Sequence, residues 1–441
     1  MILADEDISS AIQMHLQEKG KEGYICAQDI VDYISTPEMQ GKLEKANIKK
    51  KSISLRTAQR WLRYFGWRYG KIKKGIWSEY EKHMITYDSE TGEPNNSLNG
   101  FPIQNGRPFR LILVTHDESM FYANDQRKIK WSHLLEKPKT LPQGDGQSIM
   151  VSDFLTLEWG RLKDEEQEAR ILFKAGNQRD GWFKAEDLIA QVDRAIDIFE
   201  GKTNGFAVGL FMFDNAPSHQ KRADDALSAR KMPKRPNEGW THCPGGAKMR
   251  NGILPNGDSQ ELYYPDDHPT MPGWFKGMET IIREQGLWPS QGLNAQCEKF
   301  HCKEGSTDCC CRRLLFNQPD FVNQKSWLEE YITTRGHICD FYPKYHCELN
   351  FIEQYWGAAK YRYRTCLRAS KIDVMEKNMI AALDDVPLLQ IRRYANRAAR
   401  FIDAYRGKLT GAQAAWVNKK YHGHRTLPPE KIAEAMLKGP K

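Results

Sequence analysis

Phe109-Arg110-Leu111-Ile112-Leu113-Val114-Thr115-His116-Asp117-Glu118-Ser119 passes from an apolar run into a cluster of acids. Residues 109–114 hold Phe, Leu, Ile and Val around a single Arg, the composition of a strand buried on both faces. Residues 148–157 and 208–213 read the same way. Between them, 185–199 reads as a helix with Leu188, Ile189, Val192, Ala195, Ile196 and Phe199 on one side. Strands alternating with a helix predict an α/β domain. The run at 208–213 also leads directly into an acid, Asp214. A short strand is expected at 338–342, ended by Pro343, and then a helix from about 350 to 364 with Glu353 in its first turn.

Three carboxylates delivered this way can meet at one point. Asp117 lies just past its apolar run, Asp214 follows Phe213, and Glu353 shares a polar helix face with Lys360 and Arg364. The opposite face of that helix carries Ile352, Tyr355, Trp356, Ala359 and Tyr363. It can therefore pack on the sheet while aiming Glu353 at the sheet's edge, with Lys360 and Arg364 on a phosphate-facing side. Hard oxygen ligands suit Mg²⁺ or Mn²⁺. Two such ions about 4 Å apart are an apparatus for cutting and joining phosphodiester bonds. Any one of these acids alone is more simply a solvated surface residue, since most Asp and Glu are exposed. The three in these surroundings favour a shared site.

The motifs carry a family resemblance. Asp117-Glu118-Ser119-Met120-Phe121 resembles the first motif of DDE transposases of the Tc1/mariner kind, and Asp214-Asn215-Ala216-Pro217-Ser218-His219 resembles the second. The third is matched by Pro343 followed by Glu348-Leu349-Asn350-Phe351-Ile352-Glu353-Gln354-Tyr355-Trp356. The span 107–425 is similar to transposase-derived proteins abundant in fungal genomes. The resemblance implies a ribonuclease-H-like catalytic domain with Asp117, Asp214 and Glu353 as catalytic and metal-binding acids. It implies cleavage at transposon ends, transfer of the freed 3′-OH strand into target double-stranded DNA, a homodimer in the DNA complex, and a nuclear location. His219 is read as an orienter of the Asp214 turn. In compact members of that family the last two acids lie far closer in sequence than Asp214 and Glu353 do here, so a large insertion is expected between them. Two other readings remain: a domesticated sequence-specific DNA-binding protein, and a ribonuclease-H-like nuclease without strand transfer.

Residues 1–80 read as an all-α helix-turn-helix domain. Helices are expected around Ile8–Leu16, Ala27–Ile34, 37–46 and 55–65, the last capped by Ser54. On that helix Leu55, Ala58, Leu62 and Phe65 share one face, while Arg56, Gln59, Arg60 and Arg63 share the other, as on a recognition helix. Trp67, Tyr69, Ile72 and Trp77 follow among Lys71, Lys73 and Lys74, and suggest a small β-wing. Arg and Gln would read base edges, and the lysines would hold phosphates.

Residues 81–106 read as a polar linker, 107–230 and 331–366 as the catalytic domain, 231–330 as a cysteine-rich insertion, and 367–441 as a helical C-terminal segment. The insertion gathers Cys297, His301, Cys302, Cys309, Cys310 and Cys311, candidate ligands for a structural Zn²⁺ that His242 or Cys243 would complete. The spacing matches no standard zinc finger. With 441 residues and a net charge of +8, the chain is too long for one compact core and only mildly basic. The first residues are acidic, unlike a secretory signal. The longest apolar run is too short to span a bilayer. Ten cysteines without such a signal point to a reducing compartment.

Overall fold

The computed structural model describes residues 8–9, 11–12, 14–16, 27–46, 48, 51–64, 76–96, 101, 103–104, 107–125, 144–176, 179–298, 301–302, 306–366, 371–421 and 425–439. The chain divides into two compact units, Met1–Glu79 and Tyr80–Lys441.

The first unit contains helices α1 (Ala27–Ile34), α2 (Pro37–Lys45) and α3 (Leu55–Tyr64). Pro37 opens α2, and the Thr36 hydroxyl caps it by accepting from the Met39 amide. Ser54 caps α3 as the sequence predicts, with its Oγ 3.3 Å from the Thr57 amide. Ile8, Ile12, Leu16, Ile30, Ile34, Leu43 and Ala58 are buried together in one core. Leu55, expected on the apolar face of α3, is instead exposed at the helix start. Trp77 lies in a short helix, Ile76–Glu81, and not in a β-wing. The calls on Lys71, Lys73 and Lys74 lie outside the described residues.

The second unit is built on a six-stranded mixed sheet. Its strands are β1 (Leu111–Tyr122), β2 (Ser148–Thr156), β3 (Gly160–Arg161), β4 (Ile171–Phe173), β5 (Val208–Phe213) and β6 (Ile338–Phe341). The order is β6-β5-β1-β2-β3, with β4 also pairing β2. β1 and β2 are antiparallel, whereas β5 and β6 run parallel to β1. This mixed sheet with its helices fits the ribonuclease-H-like domain that the resemblance implies. β1 is longer than its apolar run predicts. The antiparallel ladder to β2 continues through Asp117↔Asp153 to Tyr122↔Ser148, so Asp117 lies inside a strand.

Side-chain alternation sorts the two faces of the sheet. Ile112, Val114, Phe211 and Phe213 turn toward helix α4 (Ala185–Thr203), whose Leu188, Val192, Ala195, Ile196 and Phe199 complete one core. The opposite face takes helix α8. Between the two come α5 (Met278–Glu284), α6 (Cys311–Phe316) and α7 (Trp327–Thr334), followed by α8 (Ile352–Tyr363). The insertion keeps a separate core, which includes Leu262, Phe275, Met278, Ile281 and Leu315. Helices α9 (Ile372–Asp384), α10 (Leu388–Arg406), α11 (Gly411–Lys420) and α12 (Pro429–Lys438) close the chain.

Part of the expected linker docks on α10. The Arg392 guanidinium lies 3.9 Å from the centre of the Tyr87 ring, and the Asn396 amide donates to the Tyr87 carbonyl at 2.8 Å. Arg392 and Arg393 thus hold the 87–92 turn by donating to the Gly92 and Ser89 carbonyls. Among the described residues no helix is long and apolar enough to cross a membrane.

One buried ion pair ties the sheet to the C-terminal helices. Asp153 on β2 is fully buried and accepts from Arg161 Nε at 2.8 Å; Arg161 also bonds Glu168 and Asp384 of α9. Removing one partner leaves the other as an uncompensated buried charge. Arg161→Met is therefore expected to cost about 3–5 kcal/mol in urea unfolding. The double variant Asp153→Leu/Arg161→Met should recover most of that loss. Equal losses in the single and double variants would refute the account.

Candidate active site

The register of β1 against β5 places the first two acids. The parallel ladder ends at Leu113↔Leu210, Val114↔Phe211 and Thr115↔Met212. Two residues further along each strand stand Asp117 and Asp214. Both keep the parity of Thr115 and Met212, so both leave the same face of the sheet, on strands about 4.8 Å apart. The strand pair separates at this point: β1 continues along β2, while the chain turns away after Phe213. Asp117 therefore stands inside a strand, and Asp214 stands in the turn that follows one. The parity of Glu118 is that of Val114, so it faces the other side, with His116.

Helix α8 supplies the third acid and also locks the first. Ile352, Tyr355, Trp356, Ala359 and Tyr363 are buried, while Glu353 is exposed, as the helical pattern predicts. The Trp356 indole Nε1 donates to Asp117 Oδ2 at 3.1 Å. Just before the helix, Asn350 is buried. Its Nδ2 donates to the His116 carbonyl at 3.2 Å, and its Oδ1 accepts from the Thr115 hydroxyl. Tyr342 OH lies 3.2 Å from the same Thr115 Oγ1. The Asn and Trp of the third motif therefore fasten it to the strand bearing the first. The roles of Asn350, Trp356, Thr115 and Tyr342 were missed in the sequence. The Asn-x-Ile-Glu-x-x-Trp spacing was their only signal.

The carboxyls influence one another electrostatically. Burial, then the charges of Glu353, Glu118 and Asp214, push the Asp117 carboxyl up to about 8. Burial also raises Glu353, and Asp214 adds to that shift while Lys360 opposes it. Asp214 moves the other way, held down by its hydrogen bond to His219. His219 Nδ1 lies 2.5 Å from Asp214 Oδ1, and its Nε2 lies 3.5 Å from Glu118 Oε1. Burial opposes its protonation, yet these bonds push the His219 imidazole up to about 10. Asp153 stands directly across from Asp117 in the β1–β2 ladder, but its charge is met by Arg161. Asp117 is met by the Trp356 indole N–H and a backbone N–H at Glu118.

The two basic residues of α8 differ. Lys360 packs 5.6 Å from the Phe121 ring centre and is half-buried, within electrostatic reach of Glu353 and Asp117. Arg364 forms a two-pronged pair with Asp125, both contacts at 2.9 Å. Its guanidinium thus has a protein partner while its side chain stays partly exposed. Glu348 accepts from Tyr405 of α10 at 2.5 Å and from His346 at 2.7 Å, and so serves to anchor the C-terminal helices. On α3, Arg60 is exposed; the side chains of Arg56, Gln59 and Arg63 lie outside the described residues. In the insertion, Cys297, Cys302, Cys309 and Cys310 converge, whereas Cys311 and His301 are not part of that set.

Hard divalent cations suit carboxylate ligands, and all three groups are carboxylates. Burial raises Asp117 first, and repulsion from Glu353, Glu118 and Asp214 adds to it. Among the described residues the ligand atoms within 4.8 Å of one another beside this site are those of His116, Glu118 and His219, not of the three acids together. A doubly charged ion would relieve the repulsion at Asp117. Asp117, Asp214 and Glu353 would hold Mg²⁺ or Mn²⁺.

No protein-family model matches the sequence, and no curated protein matches it. Among solved structures, the chain is similar to the mariner Mos1 paired-end complex with Mg, at 16% identity and a TM-score of 0.22, over 48% of this chain and 53% of that one. It therefore spans about half the length of that chain. For the Mos1 mariner paired-end complex with Mn the values are 10% identity and a TM-score of 0.34, over 90% of this chain and 97% of that one. For a pre-cleavage Mos1 transpososome they are 14% and 0.20, over 48% and 73%. These complexes are of the Tc1/mariner kind that the motifs resemble. At such TM-scores the likeness carries no argument about this chain's activity.

A pH dependence follows from Asp117. Its folded value of about 8 lies above the ordinary carboxylate range, so the folded state binds the extra proton. Metal-free stability should therefore fall as pH rises from about 4 to about 8. Asp117→Asn keeps an acceptor for Trp356 and removes the charge. It should raise the melting temperature of the metal-free protein at pH 8 and leave it nearly unchanged at pH 4. A lower melting temperature for that variant at pH 8 would contradict the assignment.

Proposed function

We propose that the chain is a DDE transposase of the Tc1/mariner kind, with Asp117, Asp214 and Glu353 as its catalytic acids. The observation that carries this reading is the register of β1 and β5. What supports it is that Asp117 lies two residues past the end of the ladder with β5, that Asp214 follows β5 directly, and that the helix carrying Glu353 is hydrogen-bonded to Asp117. Three acids from distant segments with raised or hydrogen-bonded carboxyls are costly unless a function requires them.

Two divalent ions, Mg²⁺ or Mn²⁺, would supply charge stabilisation at the attacking and leaving oxygens. The chain's own groups do the rest. Asp117 would be held by the sheet, Asp214 by the turn after β5 and its bond to His219, and Glu353 would come from α8. His219 holds Asp214 in place through Nδ1 and is itself held by Glu118. Lys360 sits beside the acids, where a DNA phosphate would meet its ammonium group. The reaction exchanges phosphorus–oxygen bonds one for one. Water displaces the 3′ oxygen at a transposon end, and the freed 3′-OH then displaces an oxygen in the target strand. Positioning and charge stabilisation account for such catalysis without a covalent enzyme intermediate.

The first unit would bind the terminal repeats as a helix-turn-helix, with α3 in the major groove and Arg56, Gln59, Arg60 and Arg63 toward the bases. Pairing of two ends would require a homodimer, and access to chromosomal DNA would require entry to the nucleus.

Asp214→Ala should abolish Mg²⁺- or Mn²⁺-dependent cleavage of the element's end DNA, by at least about a thousandfold, with the circular dichroism spectrum unchanged. Cleavage that survives this substitution would overturn the assignment. Cleavage without subsequent joining would favour a nuclease.

A further inference from the structure

The insertion has a small core and very little regular structure around it. Its only sheet among the described residues is the two-residue pairing of Gly252–Ile253 with Ser259–Gln260. Modules of this size are commonly held by a disulfide or a metal.

At its edge four thiols converge. The sulfurs of Cys297, Cys302, Cys309 and Cys310 all lie within 4.8 Å of one another, and the Cys297 and Cys309 sulfurs are 3.4 Å apart. A disulfide would need about 2.05 Å. Four thiolates around Zn²⁺, each about 2.3 Å from the ion, stand about 3.8 Å apart. The spacing is that of ligands sharing an ion.

Three consecutive cysteines would ordinarily crowd one ion, and the backbone resolves this. Cys310 is extended, at φ −161° and ψ 162°, immediately before α6. Cys311 begins the helix, and its side chain turns into the insertion core beside Leu314 and Leu315. The triplet therefore divides into two ligands and one core residue. The converging set is all sulfur, which selects zinc over the hard cations suited to the acidic site.

We propose that Cys297, Cys302, Cys309 and Cys310 hold one zinc ion in a closed, structural site. With four protein ligands it has no open position for catalysis. Its mechanical effect is to fasten the 297–310 loop to the start of α6 and so to the insertion core. The two ends of the insertion are already joined: Arg250 bridges Asp225 and Glu330, each at 2.6 Å, and the Trp327 amide donates to the Lys221 carbonyl at 2.9 Å. The ion thus rigidifies the module that stands in sequence between Asp214 and Glu353, without touching either acid.

The test uses the full chain. Metal analysis should find about one zinc per chain. The Cys309→Ser/Cys310→Ser variant should lose it, while Cys311→Ser and His301→Ala should keep it. Because the double variant might fail for lack of folding alone, the unsubstituted chain is stripped of zinc and given Co²⁺. A strong thiolate-to-cobalt absorption band is expected, unchanged in Asp214→Ala, since carboxylate-bound cobalt gives no such band. Absence of the band, or zinc retained in the double variant, would overturn the proposal. Neither result depends on whether the acidic site cuts DNA.

Discussion

The parallel pairing of β1 with β5 is the constraint on which the site depends. Side chains alternate along a strand, so a slip of one residue would send Asp214 to the face opposite Asp117. The apolar partners of the acids prevent that slip. Ile112 and Val114 on β1, with Phe211 and Phe213 on β5, are buried against α4. Moving any of them to the other face would forfeit roughly 1.5–3 kcal/mol per side chain. Burial therefore enforces a charge arrangement that electrostatics alone would disperse.

The same frame places the acids differently. β1 keeps its antiparallel partner β2 beyond Asp117, while β5 ends at Phe213, just before Asp214. Helix α8 packs against β1. Its contacts with Asp117, through Trp356, and with the backbone of His116, through Asn350, explain why an Asn and a Trp flank the glutamate at fixed spacing. An indole N–H offers Asp117 a hydrogen bond without a positive charge, so the carboxyl is oriented yet remains available to a cation. Asp153, one strand away, is by contrast neutralised by Arg161 and committed to structure. Adjacent acids on one sheet face thus differ in whether an arginine neutralises them.

Much of this was legible in the sequence. The apolar runs at 109–114 and 208–213, the periodicity of 185–199 and the cap Ser54 report local burial and local hydrogen bonding, which neighbouring residues largely fix. The burial pattern of α8 followed from its spacing for the same reason. The continuation of β1 to Tyr122 was not legible, because Glu118, Ser119 and their neighbours are polar and only the ladder to β2 keeps them extended. The two- and three-residue strands β3 and β4 are too short to leave a pattern. Residues 87–92 look like a linker until Arg392, Arg393 and Asn396 of α10, some 300 positions away, donate to their carbonyls. Arg364 shares a helix face with Glu353, but its partner Asp125 is contributed by the turn after β1, and no helical periodicity reports that.

By itself the sequence determined the elements, their buried faces and the residue types at the site, since these depend on short-range spacing and on the transfer of apolar side chains from water. The motif order pointed to three acids with one purpose. Tertiary structure alone decided which of the many polar residues meet: that Asp117 and Asp214 leave one sheet face together, that Trp356 closes on Asp117, that Arg364 is spent on Asp125, and that four of the clustered cysteines converge while Cys311 turns into the core. Each of these outcomes is set by register or by backbone direction at one residue, quantities fixed only when distant segments pack.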